Sequence, residues 1–145
     1  MRPLILAFAV SVLFACNQTD SKTTNSAPST TNAIADSANF TAIQWLDSMS
    51  QNIGKVKKGQ VVEITWRFKN IGKKPLIIQE VRPGCGCTVA EKPEEPIAPG
   101  EESVIKGKFD SNNQSEGEHN KMISVLANTV NSTYHQLNFR VEVVQ

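Results

Sequence analysis

The sequence predicts an all-β protein, an antiparallel β-sandwich of about seven strands. Three observations carry this. Val62, Ile64, Trp66 and Phe68 alternate with Glu63, Thr65, Arg67 and Lys69, so one face of the segment is apolar and the other polar. The same period of two returns at Leu137, Phe139, Val141 and Val143 near the C-terminus. Between them, short runs of Val, Ile, Thr and Phe are punctuated by Gly, Pro and Asn, and no segment of helical length repeats apolar residues at helical spacing.

Taken in order, Thr41 to Leu46 reads as a first strand, followed by turn signals at Asn52-Ile53-Gly54 and Lys58-Gly59. The alternating segment Val62 to Lys69 is the second strand and ends at the turn Asn70-Ile71-Gly72-Lys73-Lys74-Pro75. Leu76 to Val81 is a short apolar strand that runs into Pro83-Gly84 and the cysteines Cys85 and Cys87. Thr88 to Glu91 makes a short edge strand before the proline-rich stretch Pro93 to Gly100. Ser103 to Phe109 resumes the alternation, with Ile105 and Phe109 facing inward. After a polar loop, Asp110 to Glu118, the last two strands are Lys121 to Ala127 and Leu137 to Val143. Seven short strands in a domain spanning 40–145 point to the immunoglobulin-type sandwich, and a core of that size needs no disulfide staple.

Charge narrows the partners. The chain carries 15 Lys plus Arg against 14 Asp plus Glu. Met1 to Ala15 holds Arg2 and no acid, so the remainder is neutral, which argues against a nucleic-acid partner. That first stretch has a positive start and an apolar run, Leu4 to Ala15, too short for the roughly 20 residues that span a bilayer. It fits a secretory signal peptide over 1–15. Leu13-Phe14-Ala15-Cys16 resembles the bacterial lipobox, with Phe14 in place of the usual small residue. The resemblance implies that Cys16 is the lipidated first mature residue, so that the membrane is one partner and the protein lies in the periplasm, tied to the outer membrane. Residues 16–39 beyond it are rich in Ser, Thr, Asn and Ala and read as a disordered tether with a reach of roughly 25 Å.

Side chains able to do redox or metal chemistry concentrate at Cys85-Gly86-Cys87. Three states are open to this pair. In an oxidising compartment the two can form a disulfide, with Gly84 and Gly86 letting the chain kink between them. They can remain free thiols. Or they can bind Cu(I), which suits two thiolates one residue apart better than zinc does, with His119, Met122 or His135 as further ligands. Gly86 is expected to need a positive φ or close backbone approach, so that Gly86→Val would damage the loop. Strand parity places Lys55, Lys57, Lys58 and His119 on the same rim as the cysteines. No nucleophile–base set, oxyanion hole or cofactor motif is legible, so no catalytic residue and no cofactor is assigned and the protein is read as no enzyme.

The order Trp66-x-Phe68-x-Asn70-x-Gly72-x-x-Pro75-Leu76, then Cys85-Gly86-Cys87-Thr88, then Pro96-Ile97-Ala98-Pro99-Gly100 resembles domain-of-unknown-function family 1573. Its first part is also similar to major sperm protein and cilium-associated modules. The family resemblance implies a small secreted or lipid-anchored protein of a Gram-negative bacterium with an immunoglobulin-like domain; it implies no activity. The expectation that follows is a lipid-anchored binding or structural module of the cell envelope, with another envelope protein as partner. The alternative is a thiol redox or copper-binding protein that uses Cys85 and Cys87.

Overall fold

The computed structural model describes residues 36–145; the expected signal peptide, Cys16 and most of the tether lie outside them. Among the described residues, eight strands form two four-stranded sheets. They are β1 (Ile43–Trp45), β2 (Ser50–Lys57), β3 (Val61–Asn70), β4 (Ile78–Pro83), β5 (Thr88–Glu91), β6 (Glu102–Asp110), β7 (Gly117–Ala127) and β8 (Tyr134–Val144). One sheet has the order β1-β3-β6-β5 and the other β2-β8-β7-β4. The β-sandwich expectation holds, with two differences.

The additional strand is β2, where the sequence suggested turns. Ser50 to Lys57 pairs with β8, and it does so in parallel, so this sheet is mixed rather than wholly antiparallel. Its register shifts between Asn52 and Gly54. Asn52 Oδ1 accepts the Gly54 N–H at 3.0 Å, and Gly54 takes φ of +80°. This bulge breaks the period of two that marks a strand. The second difference concerns length. β7 begins at Gly117, so the polar loop shrinks to residues 111–116 and His119 becomes a strand residue.

The core forms where the apolar faces of the two sheets meet. From β3 come Ile64, Trp66 and Phe68; from β6, Ile105 and Phe109; from β7, Ile123 and Val125; from β8, Leu137, Phe139, Val141 and Val143. Trp66 and Phe109 on one sheet reach Phe139 on the other, with ring centroids 6.3 and 5.8 Å apart. Each fully buried ring or branched aliphatic contributes about 1.5–3 kcal/mol. Gly107 belongs to this core although it has no side chain. A Cβ there would sit 3.1 Å from Ile123 Cδ1 and 3.2 Å from Trp66 Cζ3, so the glycine makes room for the indole.

Candidate functional site at the cysteine pole

The two ends of the sandwich are built differently. At one end, two buried asparagines knit the loops together. Asn70 Oδ1 accepts from the Thr41 hydroxyl and the Gly72 N–H, each at 3.0 Å, while Nδ2 donates to the Lys74 and Ile97 carbonyls. Asn128 Nδ2 donates to the Asn39 and Pro75 carbonyls, and its Oδ1 accepts the Ile77 N–H at 2.7 Å. A Cβ on Gly72 would lie 2.0 Å from Thr41 Oγ1, so glycine is required there. The chain enters the domain at this end, where Lys74 Nζ also holds the Ala38 carbonyl. The Asn70-Gly72-Pro75 and Pro96-to-Gly100 motifs thus have a structural explanation.

His135 sits on this same side of the molecule, on β8 beside Trp45. The Thr129 hydroxyl donates its only proton to the Ser132 carbonyl at 2.6 Å. His135 Nε2, 2.8 Å from Thr129 Oγ1, therefore carries the ring proton and donates it to that oxygen. Nδ1 is left to accept from Trp45 Nε1 at 3.5 Å. Burial holds the His135 pKa below the usual histidine value. This places His135 at the far end from the cysteines and removes it as a ligand partner for them.

The other end carries the cysteine loop, the β2–β3 turn and the loop 111–116. Backbone bonds hold the three together: Asp110 N–H to the Cys87 carbonyl and Ser111 N–H to the Gln60 carbonyl, both 3.0 Å. Ser111 Oγ lies 2.8 Å from the Gln60 carbonyl oxygen and 3.0 Å from that of Lys57, its single proton shared between them. Lys57 and Lys58 thus share the end with the cysteines, while Lys55 Nζ turns to Glu142 at 3.9 Å. His119 Nε2 lies 2.8 Å from the Ser115 carbonyl oxygen.

Cys85 and Cys87 are joined in a disulfide, with Cα atoms 5.4 Å apart. Both are half-buried, and Cys87 packs against the core. Gly84 donates its N–H to the Met122 carbonyl at 2.8 Å and Thr88 donates its N–H to the Cys85 carbonyl at 3.3 Å. Gly86 departs from expectation. Its φ is not positive, and a Cβ there would meet nothing within 4 Å. The turn is made without it, because the backbone is held on both sides. A depression of about 280 Å³ opens beside the bridge, lined by Gly86, Cys87, Asp110, Asn113 and Gln114.

One residue at this site escaped sequence reasoning. Thr88 is buried, and its hydroxyl lies 3.7 Å from Cys85 Sγ and 3.8 Å from Cys87 Sγ, its side-chain partners among the described residues. Its place directly after the second cysteine was visible, but a Thr opening a strand is ordinary and gave no signal. The described residues contain no group of three or more His, Cys, Asp or Glu arranged to hold a metal.

Comparison with solved structures gives the fold. A protein of unknown function from Porphyromonas gingivalis W83 matches with a TM-score of 0.65 at 16% identity, over 74% of this chain and 49% of that one. The chain therefore spans about half the length of that relative. The secreted serine protease VesC from Vibrio cholerae matches at 0.52 and 9% identity, over 70% of this chain and 23% of that chain. A PapD-like domain of human CEP192 matches at 0.51 and 10% identity, over 95% and 96% of the two chains. At such identities the likeness concerns the immunoglobulin-type, PapD-like sandwich and nothing more. A search of curated proteins finds no match. The model of one family, "protein of unknown function (DUF1573)", matches residues 44–143, which is most of the chain, and the protein belongs to that family.

Proposed function

We propose that the protein is a lipid-anchored binding module of the bacterial cell envelope. Cys16 carries the lipid on the periplasmic face of the outer membrane, and the cysteine pole faces another envelope protein. The observation that supports this is the opposition of the two ends. The tether joins the domain at Asp36–Thr41, on the end closed by Asn70 and Asn128, while the Cys85–Cys87 bridge and the loop 111–116 lie at the other. A domain tied at one end presents the other away from the surface that holds it. The reading assigns no catalytic acid, base or nucleophile, and the PapD-like sandwich serves as a scaffold for its loops and edges.

Two measurements test it. Wild-type protein should fractionate with outer membranes, and Cys16→Ser should release it to the soluble fraction or leave it unprocessed. A photo-crosslinking residue at Asn113, in the depression beside Cys87, should trap one defined envelope protein, whereas the same residue at Asn131 should not. Soluble wild-type protein would remove the anchor, and equal trapping at both ends would remove the orientation.

A further inference from the structure

The geometry points to a chemical role for the cysteine pole beyond binding: the Cys85–Cys87 bridge is a thiol–disulfide exchange centre, and Thr88 is the hydroxyl that receives its leaving thiolate. Three observations support this independently of what the domain binds. The bridge spans a single residue, so it cross-links no distant segments and removes little entropy from the unfolded chain. The corner is held without it, by the bonds from Gly84 to Met122, Thr88 to Cys85 and Asp110 to Cys87. Opening the bridge therefore leaves the sandwich intact. Finally, Thr88 is only 4% exposed, and its hydroxyl has the two sulfurs as its side-chain partners among the described residues. A buried hydroxyl needs a partner, and a thiolate is a far better one than a disulfide sulfur.

The depression lies against Cys87 rather than Cys85, which sets the direction of attack. A thiolate of a dithiol substrate attacks Cys87 Sγ. The Cys85–Cys87 bond breaks, and its electron pair leaves on Cys85 Sγ, which accepts the Thr88 hydroxyl proton in a hydrogen bond. The substrate's second thiolate then attacks its own sulfur in the mixed disulfide. The substrate departs as a disulfide, Cys87 leaves as the second thiolate, and two protons lost by the substrate balance those taken up by the pair. A second disulfide compound, of low molecular weight or on a protein, restores the bridge by the same steps in reverse. Such steps quicken as the leaving sulfur is stabilised.

The test uses full-length protein in detergent, with reduced glutathione as the probe thiol. Bridge opening is followed by alkylation and the mass of the peptide that carries both cysteines. The folded wild type should open far faster than it unfolds and close again in oxidised glutathione. Thr88→Val keeps the shape and removes the hydroxyl, and it should slow opening about tenfold, the worth of one hydrogen bond to a charged sulfur. Thr88→Ser should stay within about twofold of wild type, because it keeps that bond. Should Thr88→Val not fold, single-cysteine variants decide the direction: with oxidised glutathione, which releases one reduced glutathione per exchange, Cys87 in Cys85→Ser should form the mixed disulfide faster than Cys85 in Cys87→Ser. A bridge that opens only as fast as the whole domain unfolds overturns the proposal. So does a folded Thr88→Val that opens at the wild-type rate, or a reversed order of the single cysteines.

Discussion

Asn70 shows what a single side chain does in this fold. It is fully buried, and all four of its hydrogen-bonding positions are filled by groups from three separate segments: Thr41, the turn at Gly72 and Lys74, and Ile97. Removing the amide leaves the Thr41 hydroxyl, the Gly72 N–H and the Lys74 carbonyl without that partner in a place water enters poorly, while the Ile97 carbonyl keeps the Leu76 N–H. Asn70→Ala should therefore cost about 3 kcal/mol, or roughly 15 °C of melting temperature, in thermal denaturation. Ile71→Ala, one position along but largely exposed, should change little. The Asn70-x-Gly72 spacing was legible in the sequence as a turn, because Asn and Gly are turn residues. That it is a buried node was not, since its partners lie 27 and 29 residues away along the chain. Asn128 went unnoticed for the same reason, and Gly107 because a residue without a side chain leaves no mark in a hydropathy pattern.

Among the elements, the strands with unbroken alternation were those the sequence revealed. β3 from Ile64 and β8 from Leu137 bury every second residue, and the positions named from the sequence on them are core positions except Val62, which is partly buried against the core. β2 fails that test for a physical reason: it buries Val56 alone, lies at a sheet edge and carries the Gly54 bulge. The corner between β4 and β5 was overread in the other direction. The sequence places a demand for special backbone geometry on Gly86, yet the turn is fixed by Gly84, Thr88 and Asp110 through main-chain bonds. Gly86→Ala should accordingly melt within error of wild type, because its Cβ meets open space. Cys85→Ser with Cys87→Ser should lower stability by no more than about 2 kcal/mol, since closing so short a loop restricts the unfolded chain very little. A larger loss in denaturant titration would mean that the bridge itself holds the corner.

Across the whole molecule, charge and burial divide the pH response into two ranges with different causes. His135 is the neutral-range group. Burial lowers its pKa in the folded state, so the unfolded chain, near about 6.5, takes up a proton first. Stability from this group is complete above about pH 6.5 and declines as pH falls through the lower folded value. Asp47 and Glu91 act at lower pH. Hydrogen bonding from Arg67 lowers the Asp47 pKa, and the same interaction from Lys108 lowers that of Glu91. Their contribution is present above their unfolded values, about 3.9 and 4.3, and is lost as pH falls below them. Both pairs are open to solvent, so salt screens them, whereas burial of a neutral imidazole is insensitive to salt. Unfolding free energy measured from pH 8 to pH 3 should therefore fall in two steps, and 1 M sodium chloride should flatten the acidic step alone. His135→Gln should remove the neutral-range step while leaving the acidic one, and a neutral-range step that survives the substitution would assign it to another group.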